Sequence, residues 1–373
     1  PIVAKETSTT SITGFVFEGL TEIDGVTLEV KPCLAESWEH DASGKVWKFF
    51  LRKGVTWSDG TAFTADDVVF TYNRLIYNPD IPTSSRDVLT IEGKTIKVRK
   101  IDEYTVEFTL PERFAPFLSL MGQEILPKHK LKGYIEKGFF NSCWGVNEKP
   151  ENIVGTGPYR IKEYRPAEWV ILERNDRYWM RDSRGTGLPY IRRIVFLIIA
   201  DVNTAVLKFK TGEIDIISVR GQDFPLLKPF EKTQNFTIYN LGPSLGSEFL
   251  TFNQNVQAPI ASCKKDWFRD IYFRKAVAHL IDRESIVKNV YGGFAIPQDG
   301  PMNVSCGFFN NPDVEKYPYD EEKARGLLAR SGFYQKNRVL FDRKNNPVEF
   351  TLLTNSNNFE RIQLANIIQD DLK

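Results

Sequence analysis

Metal-ligating residues and long apolar runs are scarce in this chain, and each scarcity excludes a class of protein. The 373 residues include three histidines and four cysteines. No cysteine pair has Cys-x-x-Cys spacing and each histidine stands apart from other ligand types, so we predict no bound metal and no cofactor. The longest apolar run, from Ile194 to Ala200, is too short to cross a bilayer. A membrane-spanning protein is therefore not expected.

Charge of one sign is not in excess either. The 49 basic and 48 acidic residues leave a net charge of +1, and no basic patch stands out along the sequence, which argues against a nucleic-acid-binding protein. The chain also lacks repeats and low-complexity linkers. Its hydrophobic content of 42% can fill sizeable cores, and its length indicates two or three domains of a soluble protein.

The positions of the four cysteines leave two alternatives open. Cys33 and Cys143 fall in one predicted domain and Cys263 and Cys306 in another, which would suit two intradomain disulfides in an oxidising compartment. Four buried thiols fit the sequence equally well, because the sequence does not give the Cα separations that a disulfide requires.

The most informative stretch runs from Leu34 to Leu75 and predicts a strand, a turn and a capped helix in succession. Val46 to Lys53 alternates apolar and basic residues with the period of two that is typical of a half-buried strand. Ser58-Asp59-Gly60 indicates the turn. Thr64 stands at the N-cap of the following helix, and the carboxylate of Asp67 suits the free amides of its first turn.

As a whole, this stretch resembles the signature of the family 5 extracellular solute-binding proteins, the receptors of ABC importers for di- and oligopeptides and, in some branches, nickel or glycosides. The resemblance continues in family order along essentially the whole chain. It is carried by GTGPYRIKEY from Gly155, LERNDRYW from Leu172, KTGEIDI from Lys210, FRKAVAHLIDRESIVKNVYGG from Phe273 and DEEKARGLLARSGF from Asp320. It implies a binding protein, not an enzyme.

The resemblance implies an α/β protein with the two-lobed periplasmic binding protein-like fold of class II, in which a strand-rich domain is inserted into the first lobe. We expect residues 1–20 and 153–245 to form the first α/β lobe, residues 21–152 the inserted domain and residues 246–373 the second α/β lobe. We also expect the second lobe to continue beyond Lys373 and the lead-in strand to begin before Pro1.

Local patterns predict the elements of these domains. Ile12, Phe15, Val16 and Leu20 predict a short amphipathic helix, and the apolar run from Ile194 to Ile199 predicts a strand buried on both faces. Further strands are predicted at residues 96–98, 105–110, 169–172, 214–219, 249–253 and 350–353. Further helices are predicted after Asp201, around residues 273–280, after Asp282, before Ser331 and at residues 359–372.

By resemblance, the protein captures a small solute between its two lobes and delivers it to the membrane permease of an ABC importer. A di- or oligopeptide is the commonest cargo of the family, with nickel or a glycoside as the alternatives. We predict a monomer in the periplasm or another extracytoplasmic compartment, with its signal peptide removed and with only peripheral membrane association, either soluble or lipid-anchored. No nucleic-acid partner is expected.

The predicted ligand-binding residues lie at the edge of the first lobe, in the inserted domain and on a strand that crosses between the lobes. They are Thr9, Thr10 and Ser11, then Phe117 and Met121, then Gly246, Ser247, Glu248 and Phe249. Core packing is an equal alternative for Phe117 and Met121, because aromatic and thioether side chains often fill cores. For Glu248 the alternative is a solvated position on a strand.

Three motifs resemble those of enzymes but stand in the wrong context. Gly242 to Gly246 fits the G-x-S-x-G pattern of a nucleophile elbow around Ser244, yet a strand is predicted where a helix should follow. Gly93-Lys94-Thr95 lacks the leading glycine of a phosphate-binding loop. Gly155 to Pro158 lacks the third glycine of a dinucleotide-binding fingerprint. No catalytic residue is predicted, and a serine hydrolase acting through Ser244 is kept as the alternative function.

Overall fold

The computed structural model describes residues 2–4, 6–145, 147–356 and 358–373. The chain divides into two compact units, residues 1–200 and 201–373, and each is described by itself. The finer division into a first lobe, an inserted domain and a second lobe remains a prediction. Within the described ranges, no helix is both long and apolar enough to cross a membrane.

Unit 1 is rich in strands. Its strands are β1 (Thr21–Ile23), β2 (Val30–Pro32), β3 (Ala35–His40), β4 (Val46–Leu51), β5 (Thr90–Ile91), β6 (Lys94–Thr95), β7 (Lys97–Asp102), β8 (Thr105–Thr109), β9 (Tyr159–Arg165), β10 (Trp169–Arg174) and β11 (Arg193–Leu197). Its helices are α1 (Thr7–Thr13), α2 (Ala65–Phe70), α3 (Ser85–Val88), α4 (Phe117–Leu120) and α5 (Lys128–Glu136). Single 3-10 turns lie at Phe140–Ser142 and Pro150–Asn152.

A four-stranded antiparallel sheet in the order β3-β4-β8-β7 carries the first core cluster of unit 1. On β4, Phe49 and Leu51 are buried, as the period-two pattern predicted. The rings of Phe49, Phe108 and Phe117 lie 5.4 to 6.1 Å apart between centroids, and all three pairs are edge to face. Burying each of these side chains stabilises the fold by about 1.5–3 kcal/mol.

The helix after this sheet begins where the sequence predicted. The Asp67 carboxylate accepts the Thr64 amide at 3.1 Å and completes a capping box at the N-terminus of α2. After Phe70 the helix continues as a π-helix through residues 71–76. This helix lies between two core clusters, because Tyr72 packs in the first cluster and Phe70 in the second.

A second antiparallel sheet, in the order β11-β10-β9, lies against the second core cluster. The prediction that the run containing β11 is buried on both faces is wrong, since the side chains of Val195 and Leu197 are 45% and 42% exposed. The physical reason is that β11 is the edge strand of its sheet. Only the alternating residues Ile194 and Phe196 pack against the second cluster.

Helix α1 is shorter than the apolar pattern predicted. It ends at Thr13, so that of the four apolar residues only Ile12 lies in the helix. Phe15 and Val16 instead form backbone hydrogen bonds with a later segment, because Gly157 donates to the Val16 carbonyl oxygen at 2.9 Å and Tyr159 donates to that of Phe15 at 3.0 Å. Tertiary pairing therefore outweighs the local helical pattern here.

Unit 2 is mainly helical. Its helices are α6 (Val202–Lys210), α7 (Phe224–Leu227), α8 (Ser262–Arg269), α9 (Ile271–Leu280), α10 (Arg283–Asn289), α11 (Glu321–Arg330) and α12 (Phe359–Asp371), and β12 (Tyr334–Lys336) pairs with β13 (Val339–Phe341). Shorter 3-10 segments lie at Gly221–Asp223, Lys228–Phe230 and Val304–Phe309. The predicted caps are confirmed: Asp201 accepts the Thr204 amide at 2.7 Å, and Asp282 accepts that of Ser285 at 3.0 Å.

Three predicted strands of unit 2 do not form hydrogen-bonded ladders. Residues 214–219, 249–253 and 350–353 are non-helical segments that pair with no strand in the described part of the chain. In two of these segments, residues 249–253 and 350–353, alternate side chains are nonetheless partly buried, whereas Ile216 in the first segment is 87% exposed. Leu250, Phe252 and Phe350 pack against the core cluster around Trp267 and Phe273. Burial at alternate positions thus occurs in these two segments without the backbone pairing of a sheet.

All four cysteines are free thiols, so of the two alternatives the structure takes the one without disulfides. Cys33 is buried in the first core cluster, whereas Cys143 packs against the second and Cys263 against the third. The pairings Cys33 with Cys143 and Cys263 with Cys306 are not formed.

Candidate ligand-binding site

The predicted segment Thr9 to Ser11 lies on the exposed side of α1. The hydroxyls of Thr10 and Ser11 both donate to the Thr7 carbonyl oxygen at 2.9 Å, which ties them to the backbone of their own helix. Ile12 packs against the second core cluster and anchors the helix from its other side. The segment therefore presents three accessible hydroxyls on a short helix, and its role in binding stays a prediction.

Phe117 and Met121 are fully buried in the first core cluster. Phe117 packs on Trp47 at a ring-centroid distance of 5.3 Å, and the Tyr72 hydroxyl lies 3.5 Å from the Met121 sulfur. In this conformation neither side chain offers surface to a solute. The geometry thus fits the core-packing alternative for both residues.

The segment Gly246 to Phe249 in unit 2 is exposed and is held in place by side chains from elsewhere in the unit. The amide group of Asn303 donates to the Gly246 carbonyl oxygen at 3.4 Å and to that of Ser244 at 3.0 Å. The Ser247 hydroxyl donates to Gln298 Oε1 at 3.1 Å. Phe249 is 81% exposed. The segment is thus fixed at its start and open to solvent along its length.

Glu248 forms a two-pronged ion pair with Arg361, near the start of α12. Arg361 Nε donates to Glu248 Oε2 at 2.9 Å, and Arg361 Nη2 donates to Oε1 at 3.0 Å. This hydrogen bonding raises the pKa of Arg361. Both side chains remain more than two fifths exposed, so the predicted alternative of a solvated position for Glu248 stays open, although the residue belongs to no strand in the described part of the chain.

More charged groups lie close to this ion pair. Burial raises the pKa of the Glu360 carboxyl, an effect that the positive charge of Arg220 partly offsets. Arg220 is itself paired with the buried Asp223 at 2.5 and 2.8 Å. The predicted segment 246–249 thus borders a cluster of positively and negatively charged side chains. Sequence reasoning missed Arg220, Glu360 and Arg361, because they are far from the segment along the chain.

Ser244 has none of the geometry of a catalytic nucleophile. Its hydroxyl donates to the Gly246 carbonyl oxygen at 3.3 Å, and the residues around it form neither a strand nor a helix. The ring nitrogen of His279 contacts the Pro318 carbonyl oxygen, that of His129 contacts Asp59 and that of His40 contacts the Asp41 carbonyl oxygen. In the described part of the chain, none of the three histidines makes a hydrogen bond with Ser244, so the hydrolase alternative gains no histidine base.

Potential metal ligands do not converge either. Within the described ranges, no group of three or more His, Cys, Asp or Glu side chains could hold an ion.

Glu18 is a polar centre that sequence reasoning did not single out. Its carboxylate accepts the Tyr178 hydroxyl at 2.9 Å and the Trp179 indole N–H at 3.1 Å, and the Cys33 thiol lies 3.7 Å away. Burial raises the pKa of Glu18. The sequence contained a signal for this centre, because Glu18 stands inside the apolar run from Phe15 to Leu20. A carboxylate in such a run is rarely buried without hydrogen-bond partners.

Comparison with known proteins places these features in a family. The family model described as bacterial extracellular solute-binding proteins, family 5, middle region, matches residues 29–373. A probable ABC transporter-binding protein of Deinococcus radiodurans is 30% identical over 364 residues, which cover 93% of this chain and 60% of that protein. The oligopeptide-binding protein AppA of Bacillus subtilis is 31% identical over 386 residues, which cover 100% of this chain and 64% of AppA. This chain therefore spans less than two thirds of the length of either relative.

Solved structures agree with this match. The structure of Bacillus subtilis AppA in complex with a nonapeptide superposes with a TM-score of 0.79 at 29% identity, covering 100% of this chain and 69% of that one. The structure of NikZ from Campylobacter jejuni in complex with Ni(L-His) gives a TM-score of 0.78 at 29% identity, covering 96% and 66%. These similarities confirm the predicted fold class.

Proposed function

The chain belongs to the family 5 bacterial extracellular solute-binding proteins, and on that premise we propose that it is the solute receptor of an ABC importer. It captures a di- or oligopeptide and delivers it to a membrane permease, by binding alone and without catalysing a reaction. It acts as a monomer in the periplasm or another extracytoplasmic compartment, with or without a lipid anchor.

The observation that carries the peptide proposal is the open backbone of residues 246–249. In the described part of the chain, the amide N–H groups of these four residues have no backbone acceptor, and the residues belong to no ladder. An extended peptide that adds beside such a segment gains main-chain hydrogen bonds whatever its sequence. The anchoring contacts from Asn303 and Gln298 keep the segment ordered, which lowers the entropy cost of binding.

The ion pair of Glu248 and Arg361 matches the charges of a peptide. A carboxylate suits a terminal ammonium group, and a guanidinium suits a terminal carboxylate. Exposed ion pairs contribute only about 0–1 kcal/mol, so a ligand can exchange for either partner at little cost. We propose Gly246 to Phe249 and Thr9 to Ser11 as contacting residues, with Phe117 and Met121 acting only as packing residues.

Thermal unfolding and calorimetry with a panel of di- and oligopeptides test this function. A peptide present at about a hundred times its Kd should stabilise the protein by about 2.7 kcal/mol. Glu248→Gln should weaken peptide affinity about tenfold, because a charge-assisted hydrogen bond is lost. Glu284→Gln is the matched control, because Glu284 is exposed on α10 and should leave affinity unchanged.

Nickel–histidine and oligosaccharides form the other arms of the same panel. The similarity to NikZ, whose structure holds Ni(L-His), makes the nickel arm the more informative one. Stabilisation by nickel–histidine without any effect of peptides would replace the peptide proposal by a nickel receptor. If no member of the panel raises the unfolding temperature, the proposal of a solute receptor fails.

A further inference from the structure

We propose that unit 1 carries a separate binding site, a basic depression that takes a small organic polyanion bearing carboxylate or phosphate groups. The proposal does not rest on peptide binding, because its residues all belong to unit 1 and none is among the predicted peptide-contacting residues. The depression has a volume of about 760 Å³. Sites for small molecules typically measure about 300–1,000 Å³, so the size fits a metabolite-sized ligand.

Three segments of unit 1 form the depression. Glu36 of β3 contributes one wall, the residues after β4 from Arg52 to Thr56 a second, and the residues after β10 from Asp176 to Arg181 a third. The second and third segments touch where the Trp179 ring lies against Arg52, and a hydrogen bond from its indole N–H to Glu18 fixes that ring. The shape is therefore built by buried contacts and not by exposed loops alone.

Positive charge dominates the lining. Four cations, Arg52, Lys53, Arg177 and Arg181, face two carboxylates, those of Glu36 and Asp176. Asp176 is already paired with Arg174, whose Nε lies 3.0 Å from Asp176 Oδ1. Across the described ranges, none of the four cations forms an ion pair with a carboxylate of the protein. Because the whole chain is nearly neutral, this excess is local.

Arg52 is held ready for a ligand. Its Nε donates to the Cys33 carbonyl oxygen at 2.6 Å, and its guanidinium carbon lies 4.5 Å from the centroid of the Trp179 ring. The Trp179 indole is fixed in turn by its 3.1 Å hydrogen bond to Glu18. Within the described residues the terminal nitrogens of Arg52 have no protein acceptor. A guanidinium fixed at Nε and free at its ends matches the two oxygens of a carboxylate or phosphate.

The remaining cations can close around a ligand. Lys53, Arg177 and Arg181 are exposed, and Arg181 Nη1 donates to the Gly185 carbonyl oxygen at 3.0 Å. The four cations of the lining exceed its two carboxylates by two charges, so a monoanion leaves half of this excess uncompensated and a ligand with two or more negative charges neutralises it. The half-buried rings of Tyr178 and Trp179 add an apolar surface for the carbon skeleton of an organic ligand.

Calorimetric titration of the protein with citrate, glycerol phosphate and inorganic phosphate tests the site at low ionic strength. We expect saturable binding of one citrate or one glycerol phosphate per chain, weakened by added salt. Tighter binding of citrate would identify the ligand class as polycarboxylates, and tighter binding of glycerol phosphate would identify it as phosphate esters. Arg177→Gln and Lys53→Gln should each weaken that binding about tenfold, because a charge-assisted contact is lost. Arg192→Gln, an exposed arginine outside the depression, is the matched control.

Several outcomes would overturn the proposal. Absence of binding by all three anions would do so, as would binding that both lining variants leave unchanged. Binding of a polyglutamate peptide in the absence of small-anion binding would assign the depression to an acidic protein surface. Loss of peptide-induced stabilisation in Arg177→Gln would make the depression part of the solute site and end the case for a separate one. Unchanged peptide binding alongside lost citrate binding supports the two sites as distinct.

Discussion

At the scale of single residues, three acids differ in the direction of their pKa shift because burial and hydrogen-bond donors balance differently at each of them. Burial raises the pKa of Glu18 and of Asp67, since loss of water disfavours the charged form more than their hydrogen bonds favour it. Burial acts in the same direction on Asp342, but donors from Asn346, Trp267 and the turn backbone outweigh it and hold the pKa of Asp342 at about 2. The balance between burial and donors thus decides whether each pKa is raised or lowered.

Asp342 supports the third core cluster through Trp267, whose indole N–H donates to it at 2.9 Å. We expect Asp342→Ala to lower the free energy of unfolding by about 2 kcal/mol at neutral pH, because a buried donor loses its acceptor. The pKa of Asp342 is lowered on folding. Its contribution is therefore complete above the unfolded value of about 3.9 and is lost as the pH falls toward the folded value. Urea unfolding at a series of pH values measures this.

Asp342→Asn isolates the charge, because the amide keeps an acceptor for Trp267 but does not titrate. The stability gap between wild type and this variant should be largest at neutral pH and close toward about pH 2. Asp313→Asn, at an exposed position, is the matched control. A gap of constant size across this range would contradict the linkage.

At the scale of elements, caps and the main half-buried strand were predictable and unpaired segments were not. The capping box at Thr64, the caps at Asp201 and Asp282 and the alternation along β4 depend on neighbouring residues, so the sequence states them directly. The end of α1 and the missing ladder at residues 249–253 depend on where distant backbone lies. The hydrophobic period and the strand or helix propensity of a segment carry no information about which distant backbone segment it meets.

The segment from Gly155 to Pro158 shows how a distant contact fixes an element. A Cβ on Gly155 would lie 1.8 Å from the Val16 carbonyl oxygen. Gly155→Ala should therefore destabilise the protein by about 3 kcal/mol, since packed backbone has to move. Gly187→Ala is the matched control, because its Cβ would meet nothing within 4 Å, and its change should stay within about 0.5 kcal/mol. Equal shifts in urea midpoint for the two variants would refute the close approach.

At the scale of the whole molecule, the family was predictable from the sequence but most of the site was not. Motifs such as the stretch from Leu34 to Leu75 record how the fold is built, and they matched the family model over residues 29–373. Of the candidate residues, Gly246 to Phe249 meet Asn303 and Arg361, whereas Phe117 and Met121 pack in the core. An apolar side chain in a core and one in a cleft look the same in a sequence.

The thiol content of the molecule tests its redox state. With all four cysteines free, we expect four reactive thiols per chain in denaturant without reductant. In the native protein Cys33 should react slowest, because burial raises its pKa and hinders access, and burial also raises the pKa of Cys143 to about 11. Fewer than four thiols in the denatured, unreduced protein would show that a disulfide forms.

The π-helix at residues 71–76 limits how this chain can change over generations. Phe70 and Leu75 turn toward one core cluster, while Tyr72 and Ile76 turn toward the other. Deleting one residue between Tyr72 and Leu75 would rotate Leu75 and Ile76 relative to Phe70 and Tyr72 and move them off the clusters that they now contact. Substitutions that keep size and polarity leave those contacts in place. We therefore expect evolution to tolerate substitutions in this helix more readily than insertions or deletions.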